Sequence, residues 1–211
     1  MRAALLPFSL FILLGLLFNS CRFSGYSARY VSGDVKNSRP VVFGQDFEKA
    51  LYSTDLNVFG RQITGITVIK HDSTGFHVAM LSELGLKYFE LFFPANDSTA
   101  DEIRYVMEVM NHKPVTEGLL SLYGLLFQPP VYDSHARFLM NETGKTCLLI
   151  NKIEKKQVSF YFSSLSGEVE ELTSKKLLKP KAEIKLSGYG DGYPGSLLLF
   201  QHKLSIQLKR L

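Results

Sequence analysis

A chain of 211 residues, 45% of them hydrophobic, can bury a sizeable core and fits a single domain once its leader is set aside. Its 24 Lys and Arg against 20 Asp and Glu leave a net charge of +4, scattered in both signs, which excludes the basic footprint of a nucleic-acid binder. Two cysteines, Cys21 and Cys147, are too few for a disulfide framework.

Residues 1–20 read as an export signal. Arg2 supplies a positive start, Ala3 to Phe18 is an apolar run interrupted by Pro7, Ser9 and Gly15, and Asn19 and Ser20 precede Cys21. The run is shorter than the roughly 20 apolar residues a spanning helix needs. A small residue directly before a cysteine resembles the lipobox at which signal peptidase II cuts. Lipoboxes usually carry Leu three residues before the cysteine; here that position is Phe18, with Leu17 one further back. The resemblance implies that Cys21 carries a lipid anchor with acyl chains such as palmitate. The alternative is an ordinary secreted protein with an incidental Cys21. If Cys21 is acylated, Cys147 has no intramolecular partner. Within Cys147-Leu148-Leu149-Ile150 it is expected to be a small buried hydrophobe.

Residues 21–45 are rich in Ser, Gly, Arg and Asn and read as a flexible tether to a single domain over 46–211. The domain opens on strands. Ala50, Tyr52, Thr54, Leu56 and Val58 alternate with Lys49, Ser53, Asp55 and Asn57, the period of a half-buried strand. Ile63 to Ile69, Phe76 to Met80 and Lys87 to Phe93 continue an antiparallel meander, with turns at Gly60, Asp72 to Gly75 and Gly85. The period then changes. Thr99 and Glu102 form a candidate capping box with Asp101 suited to a helix dipole, and Ile103, Val106, Met107 and Met110 recur at helical spacing. A second helix is expected over Val115 to Phe127, apolar nearly all round and so covered on more than one side. The remainder is strand again: Arg137 to Met140, Lys145 to Ile153, Gln157 to Phe162, Val169 to Thr173, Ala182 to Leu186, Ser196 to His202 and Leu204 to Leu208.

A lipoprotein signal, a β-meander, a helical insertion and a second meander resemble the LolA/LolB superfamily of lipoprotein carriers and receptors. Tyr193-Pro194-Gly195-Ser196-Leu197-Leu198-Leu199 and Leu204-Ser205-Ile206-Gln207-Leu208 resemble its Pro-led closing strands. Glu83-Leu84-Gly85-Leu86-Lys87 resembles its Gly-containing turn. The resemblance implies a mainly β fold with a helical insertion: a curved antiparallel incomplete β-barrel covered by two or more helices, holding acyl chains inside. The chain departs from LolB in having no tryptophan. LolB's exposed leucine loop has its nearest candidate in Ile63, in the Gly60 to Gly65 turn. The chain is therefore more similar to a lipoprotein sharing this fold than to LolB itself.

Signs of catalysis are missing from the sequence. His71, His77, His112, His135 and His202 form no HExxH and no ligand-spaced pair, and there is no G-x-S-x-G elbow or phosphate-binding loop. The chain is expected to be neither an enzyme nor a metal or cofactor protein. Gly188-Tyr189-Gly190-Asp191-Gly192-Tyr193-Pro194-Gly195 reads as a long hairpin turn. Lys175 to Lys181 reads as a solvated linker that could also meet anionic headgroups. Apolar ligand binding is better supported, since a curved sheet can enclose a cavity lined by large flexible side chains. The candidates are Phe76, Met80, Phe89, Leu91, Phe93, Met107, Met110, Leu119 and Leu122.

Two functions follow as expectations. In one, an outer-membrane-type lipoprotein facing the periplasm binds lipid or lipoprotein acyl chains. In the other, a non-catalytic accessory lipoprotein docks an envelope protein through its apolar helices. The membrane is a partner in both, through Cys21.

Overall fold

The alternation in the first strand carries into three dimensions. Ala50, Tyr52, Thr54, Leu56 and Val58 are buried, while Lys49, Leu51, Ser53 and Asp55 are exposed. A computed structural model describes residues 41–95, 100–127, 137–140, 146–152, 157–164, 167–176 and 179–211. For 137–140, 146–152, 157–160, 162, 176 and 179–181 it describes the backbone.

In chain order the elements are β1 (Lys49–Val58), β2 (Arg61–Asp72), β3 (Gly75–Leu81), β4 (Lys87–Pro94), β5 (Glu102–Val106), a 3-10 turn (Glu108–Met110) and α1 (Lys113–Phe127). There follow β6 (Arg137–Met140), β7 (Thr146–Lys152), β8 (Gln157–Ser163), β9 (Val169–Lys176), β10 (Lys179–Ser187), β11 (Ser196–Gln201) and β12 (Leu204–Arg210). All twelve strands form one sheet in the order β5-β4-β3-β2-β1-β12-β11-β10-β9-β8-β7-β6. Each pairing is antiparallel, and β12 joins the two meanders by pairing with β1, Leu56 opposite Ile206. The sheet is open, with β5 and β6 at its edges.

The turns follow local chemistry. Phe59 and Gly60 both have positive φ, 51° and 86°, as a two-residue hairpin matched to strand twist requires. At Gly75 a Cβ would fall 2.1 Å from the Phe93 carbonyl oxygen, so only glycine fits.

Curvature follows from what α1 touches. It contacts β4 and β5 on one side and β9, β10 and β11 on the other. In a flat sheet, six strand spacings of about 4.8 Å would separate β4 from β10 by roughly 29 Å, against a helix diameter of about 10–12 Å. The sheet therefore curls around the helix. Val115, Gly118, Leu119, Leu122, Tyr123, Leu126 and Phe127 of α1 are buried against it. No helix among the described residues is long and apolar enough to cross a membrane.

Four expectations need correction. Among the described residues there is one α-helix, not two. Ile103 and Val106 lie on β5, and their helical spacing has a different origin: Leu91 pairs with Ile103 and Glu90 with Tyr105, so Arg104 is an extra residue in a bulge. In a regular strand, residues three apart face opposite ways. One bulged residue restores them to the same side, where both pack on the core. Thr99 of the supposed capping box lies outside the described residues, and Glu102 begins a strand. The folded body also starts earlier than 46, because Val42 and Phe43 are buried at 4% and 5% exposure. The described residues of Lys175 to Lys181 lie in paired strands and not in a linker: Lys175 and Lys176 end β9, and Lys179 begins β10. Ile63 sits within β2, half-buried, rather than in an exposed turn. Exposed apolar residues at that end of the sheet include Phe59, Leu84, Leu86 and Val109.

Candidate functional site

The nine predicted ligand-binding residues come from β3, β4, the segment after β5 and α1, and the fold brings most of them together on the concave face. Met80, Phe89, Leu91, Phe93, Met110, Leu119 and Leu122 are buried in one cluster, at 2% exposure or less. Phe76 is half-buried and packs against that cluster. Met107 is half-buried between β5 and the 3-10 turn, outside the cluster. It was expected on a lid helix. In this arrangement α1 occupies the concave face, bringing Leu119 and Leu122 into the same cluster as Met80, Phe89, Leu91, Phe93 and Met110.

The lower end of this face is closed by aromatic rings. Phe76 stacks on Phe127 at 4.4 Å between centroids, and His71 stacks on Phe76 at 4.3 Å. Phe43 lies 4.7 Å from Phe47, 5.5 Å from Phe127 and 5.8 Å from Phe76. Phe43 and Phe47 belong to the segment preceding β1, which the sequence reading assigned largely to a tether. The available signal was the apolar pair Val42-Phe43 directly before Gly44. That segment is fastened to the glycine-rich loop 188–195 by a hydrogen bond from the Gly44 amide to the Gly192 carbonyl, 2.7 Å. The loop is itself pinned. Tyr52 donates its hydroxyl proton to the Pro194 carbonyl at 2.9 Å, Tyr189 donates to the Val169 carbonyl at 2.8 Å, and Arg210 donates to the Gly190 carbonyl at 3.0 Å.

Polar groups also reach the buried interior. Thr54 is hydrogen-bonded to Thr67 at 2.8 Å, both buried. The Tyr123 hydroxyl, wholly buried, has no hydrogen-bond partner among the described residues; neighbouring Thr67 is engaged by Thr54. Burial pushes the Tyr123 phenol well above its ordinary pKa, with the neighbouring Thr67 hydroxyl opposing the rise, and burial does the same to Tyr52, assisted by Tyr193.

On the outer face, Asp72 and His77 form a surface network. Asp72 accepts from the Thr74 hydroxyl at 2.5 Å, from the Thr74 amide at 2.9 Å and from Lys70 at 3.1 Å. His77 Nε2 lies 3.4 Å from Asp72, and Arg104 lies 3.3 Å from His77 Nδ1 while its guanidinium covers the Phe92 ring at 4.0 Å. These contacts brace the bulge at Arg104 against β3 and β4.

The side chain of Cys147, and residues 1–40 with Cys21, lie outside the described parts of the structure. Of the large apolar side chains of α1, Leu120 and Leu125 are half-buried and the rest are buried. Neither a protein-family model nor a curated protein matches this chain.

Proposed function

We propose that the chain is a lipid-anchored envelope protein that holds lipid or lipoprotein acyl chains on the concave face of its half-barrel, as the LolA/LolB proteins it resembles do. The observation that carries this reading is the way that face is filled, by a single, weakly determined helix. α1 has no acidic residue in its first turn and no basic residue in its last, so its dipole is uncompensated. It contains two glycines, each costing about 1 kcal/mol relative to alanine in a helix interior. Only one has a packing reason: a Cβ at Gly118 would meet Leu204 at 2.8 Å, whereas a Cβ at Gly124 has ordinary contacts of 3.5 Å or more. Its buried Tyr123 hydroxyl is unpartnered. Displacing such a helix gives up mainly apolar contacts, and an acyl chain can take over those of Phe127 with Phe76 and Phe93 and of Tyr123 with Phe89, because apolar surface makes no directional demand. The two buried methionines, Met80 and Met110, adapt to a changed neighbour.

The test is titration of the mature chain, Cys21→Ser, with a fluorescent fatty acid, beside the same protein carrying Gly124→Ala. Alanine should raise the melting temperature by stabilising α1, by up to about 1 kcal/mol. Because binding requires the helix to leave, it should weaken probe affinity about fivefold by the same free energy. Wild-type protein that takes up no probe overturns the reading. Unchanged affinity in a stabilised Gly124→Ala variant removes the displacement of α1 from it.

A further inference from the structure

Two buried threonines meet on the concave face, on neighbouring strands β1 and β2. Tyr52 on β1, Thr67 on β2, Met80 on β3 and Phe89 on β4 stand opposite one another in a single row across the sheet, and all four are 0% exposed. Neighbouring strands stand about 4.8 Å apart, so the Thr67 hydroxyl adjoins an apolar floor roughly 10 Å wide. Thr54, on β1 beside it, donates to the Thr67 hydroxyl at 2.8 Å and reaches the Tyr52 carbonyl at 3.2 Å. A hydroxyl carries one proton, so when Thr54 donates to Thr67 the Thr67 proton is free to meet an acceptor.

Tyr123 of α1 lies against this floor. Its ring centroid is 6.2 Å from that of Phe89, and its hydroxyl neighbours Thr67 yet has no hydrogen-bond partner among the described residues. A donor buried without a partner costs stability, and phenylalanine would fill nearly the same volume without that cost. The hydroxyl is therefore no anchor for α1. What Tyr123 reproduces is the outline of an acyl group: an apolar body beside Phe89 that ends in one oxygen near Thr67. When α1 withdraws, that place falls to the ligand. No charged side chain is buried among the described residues, so an ionised carboxylate would meet no counter-charge there, whereas a neutral carbonyl needs only a donor.

We propose that Thr54 and Thr67 form the polar subsite of the concave face: the Thr67 hydroxyl donates to the neutral carbonyl of an acyl ester or amide, and the chain attached to that carbonyl runs across Met80 and Phe89. The proposal rests on the acyl-binding reading and narrows it, from apolar chains in general to chains that bring a carbonyl with them. It also sets an orientation. Tyr52, on the other side of Thr67, gives its hydroxyl proton to the Pro194 carbonyl, and the apolar path lies toward Met80 and Phe89.

The test titrates the mature chain, Cys21→Ser, with two neutral probes of matched length, a pyrene-labelled alkane and a pyrene-labelled fatty-acid methyl ester. The ester should bind about tenfold more tightly, the worth of one buried hydrogen bond. Thr67→Val should bring the ester down to the affinity of the alkane and leave the alkane unchanged. Thr54 keeps the Tyr52 carbonyl as its acceptor in that variant, so the fold survives, which a melting curve checks. Thr67→Ser retains the hydroxyl and should retain the preference. Tyr123→Phe should retain it too, because Tyr123 only holds the ligand's place. Equal affinity of the two probes for the wild type, a preference that survives in Thr67→Val, or one that is lost in Tyr123→Phe overturns the subsite and leaves acyl binding standing. Wild-type protein that takes up neither probe overturns acyl binding itself, and the subsite with it.

Discussion

The two ends of the curved sheet are built on opposite principles. At the end where the chain enters, Phe43, Phe47, Phe76 and Phe127 pack ring against ring, and the loop 188–195 is fastened by Tyr52, Tyr189, Arg210 and Gly44. At the other end, short hairpin tips leave Phe59, Leu84 and Leu86 exposed at 51%, 90% and 61%, with Lys203 Nζ 5.9 Å from the Phe59 ring. The first arrangement serves stability, since each aromatic ring it buries is withdrawn from water. The second contributes little to the core and keeps apolar and cationic groups available. A similar residue type, phenylalanine beside a glycine, therefore has different meanings at Phe43-Gly44 and at Phe59-Gly60.

That comparison is broken most directly by exchanging a phenylalanine for alanine at each end. Phe43→Ala removes a buried ring and should cost about 3–5 kcal/mol of unfolding free energy. Phe59→Ala removes an exposed one and should stay within about 0.5 kcal/mol of wild type. Urea denaturation of the two variants measures both. Similar midpoints for the two would mean that the segment before β1 is not part of the core.

A subtler contrast separates two buried tyrosines. Tyr52 donates to the Pro194 carbonyl, so Tyr52→Phe leaves a buried acceptor unmet and should cost about 1–2 kcal/mol. Tyr123 donates to nothing among the described residues, so Tyr123→Phe should be neutral or stabilise by up to about 1 kcal/mol. Loss of stability in Tyr123→Phe would show that its hydroxyl is satisfied, and would weaken the case that α1 is held loosely.

Much of this fold was legible because strand periodicity is local. The alternation from Ala50 to Val58, and the glycines at 60, 75 and 85, are enough to place β1 to β4 and their turns. The misread element was β5, where one bulged residue, Arg104, turned a strand's period into a helix's. No local signal distinguishes the two; the hydrogen bonds that decide it come from β4. The site was legible as a set of apolar residues, but not in its filling. Whether Phe76 and Phe89 line a cavity or pack on a helix depends on where α1 lies, and that is a tertiary property.

The smallest expected effect sharpens the picture of the closed end, through Asp72 in the β2–β3 turn. The Thr74 hydroxyl, then the Thr74 amide and Lys70, hold the Asp72 carboxyl well below the usual carboxylate range. A carboxylate whose folded pKa is depressed stabilises the fold above its unfolded pKa, near 3.9, and loses that contribution as pH falls further. Asp72→Asn should therefore lower the melting temperature slightly at neutral pH, and the difference from wild type should shrink as pH falls below about 4. The effect is small because Lys70 and Asp72 are partly in contact with water, where such pairs are weak. His77 and Arg104 give the measurement its interest, since His77 links Asp72 to the β5 bulge. If Asp72 only caps its turn, Arg104→Gln should leave the pH dependence of melting unchanged. If the network acts as one unit, Arg104→Gln should flatten that dependence as Asp72→Asn does. Melting curves of both variants between pH 2 and 7 decide whether the outer face braces the edge strand or merely decorates it.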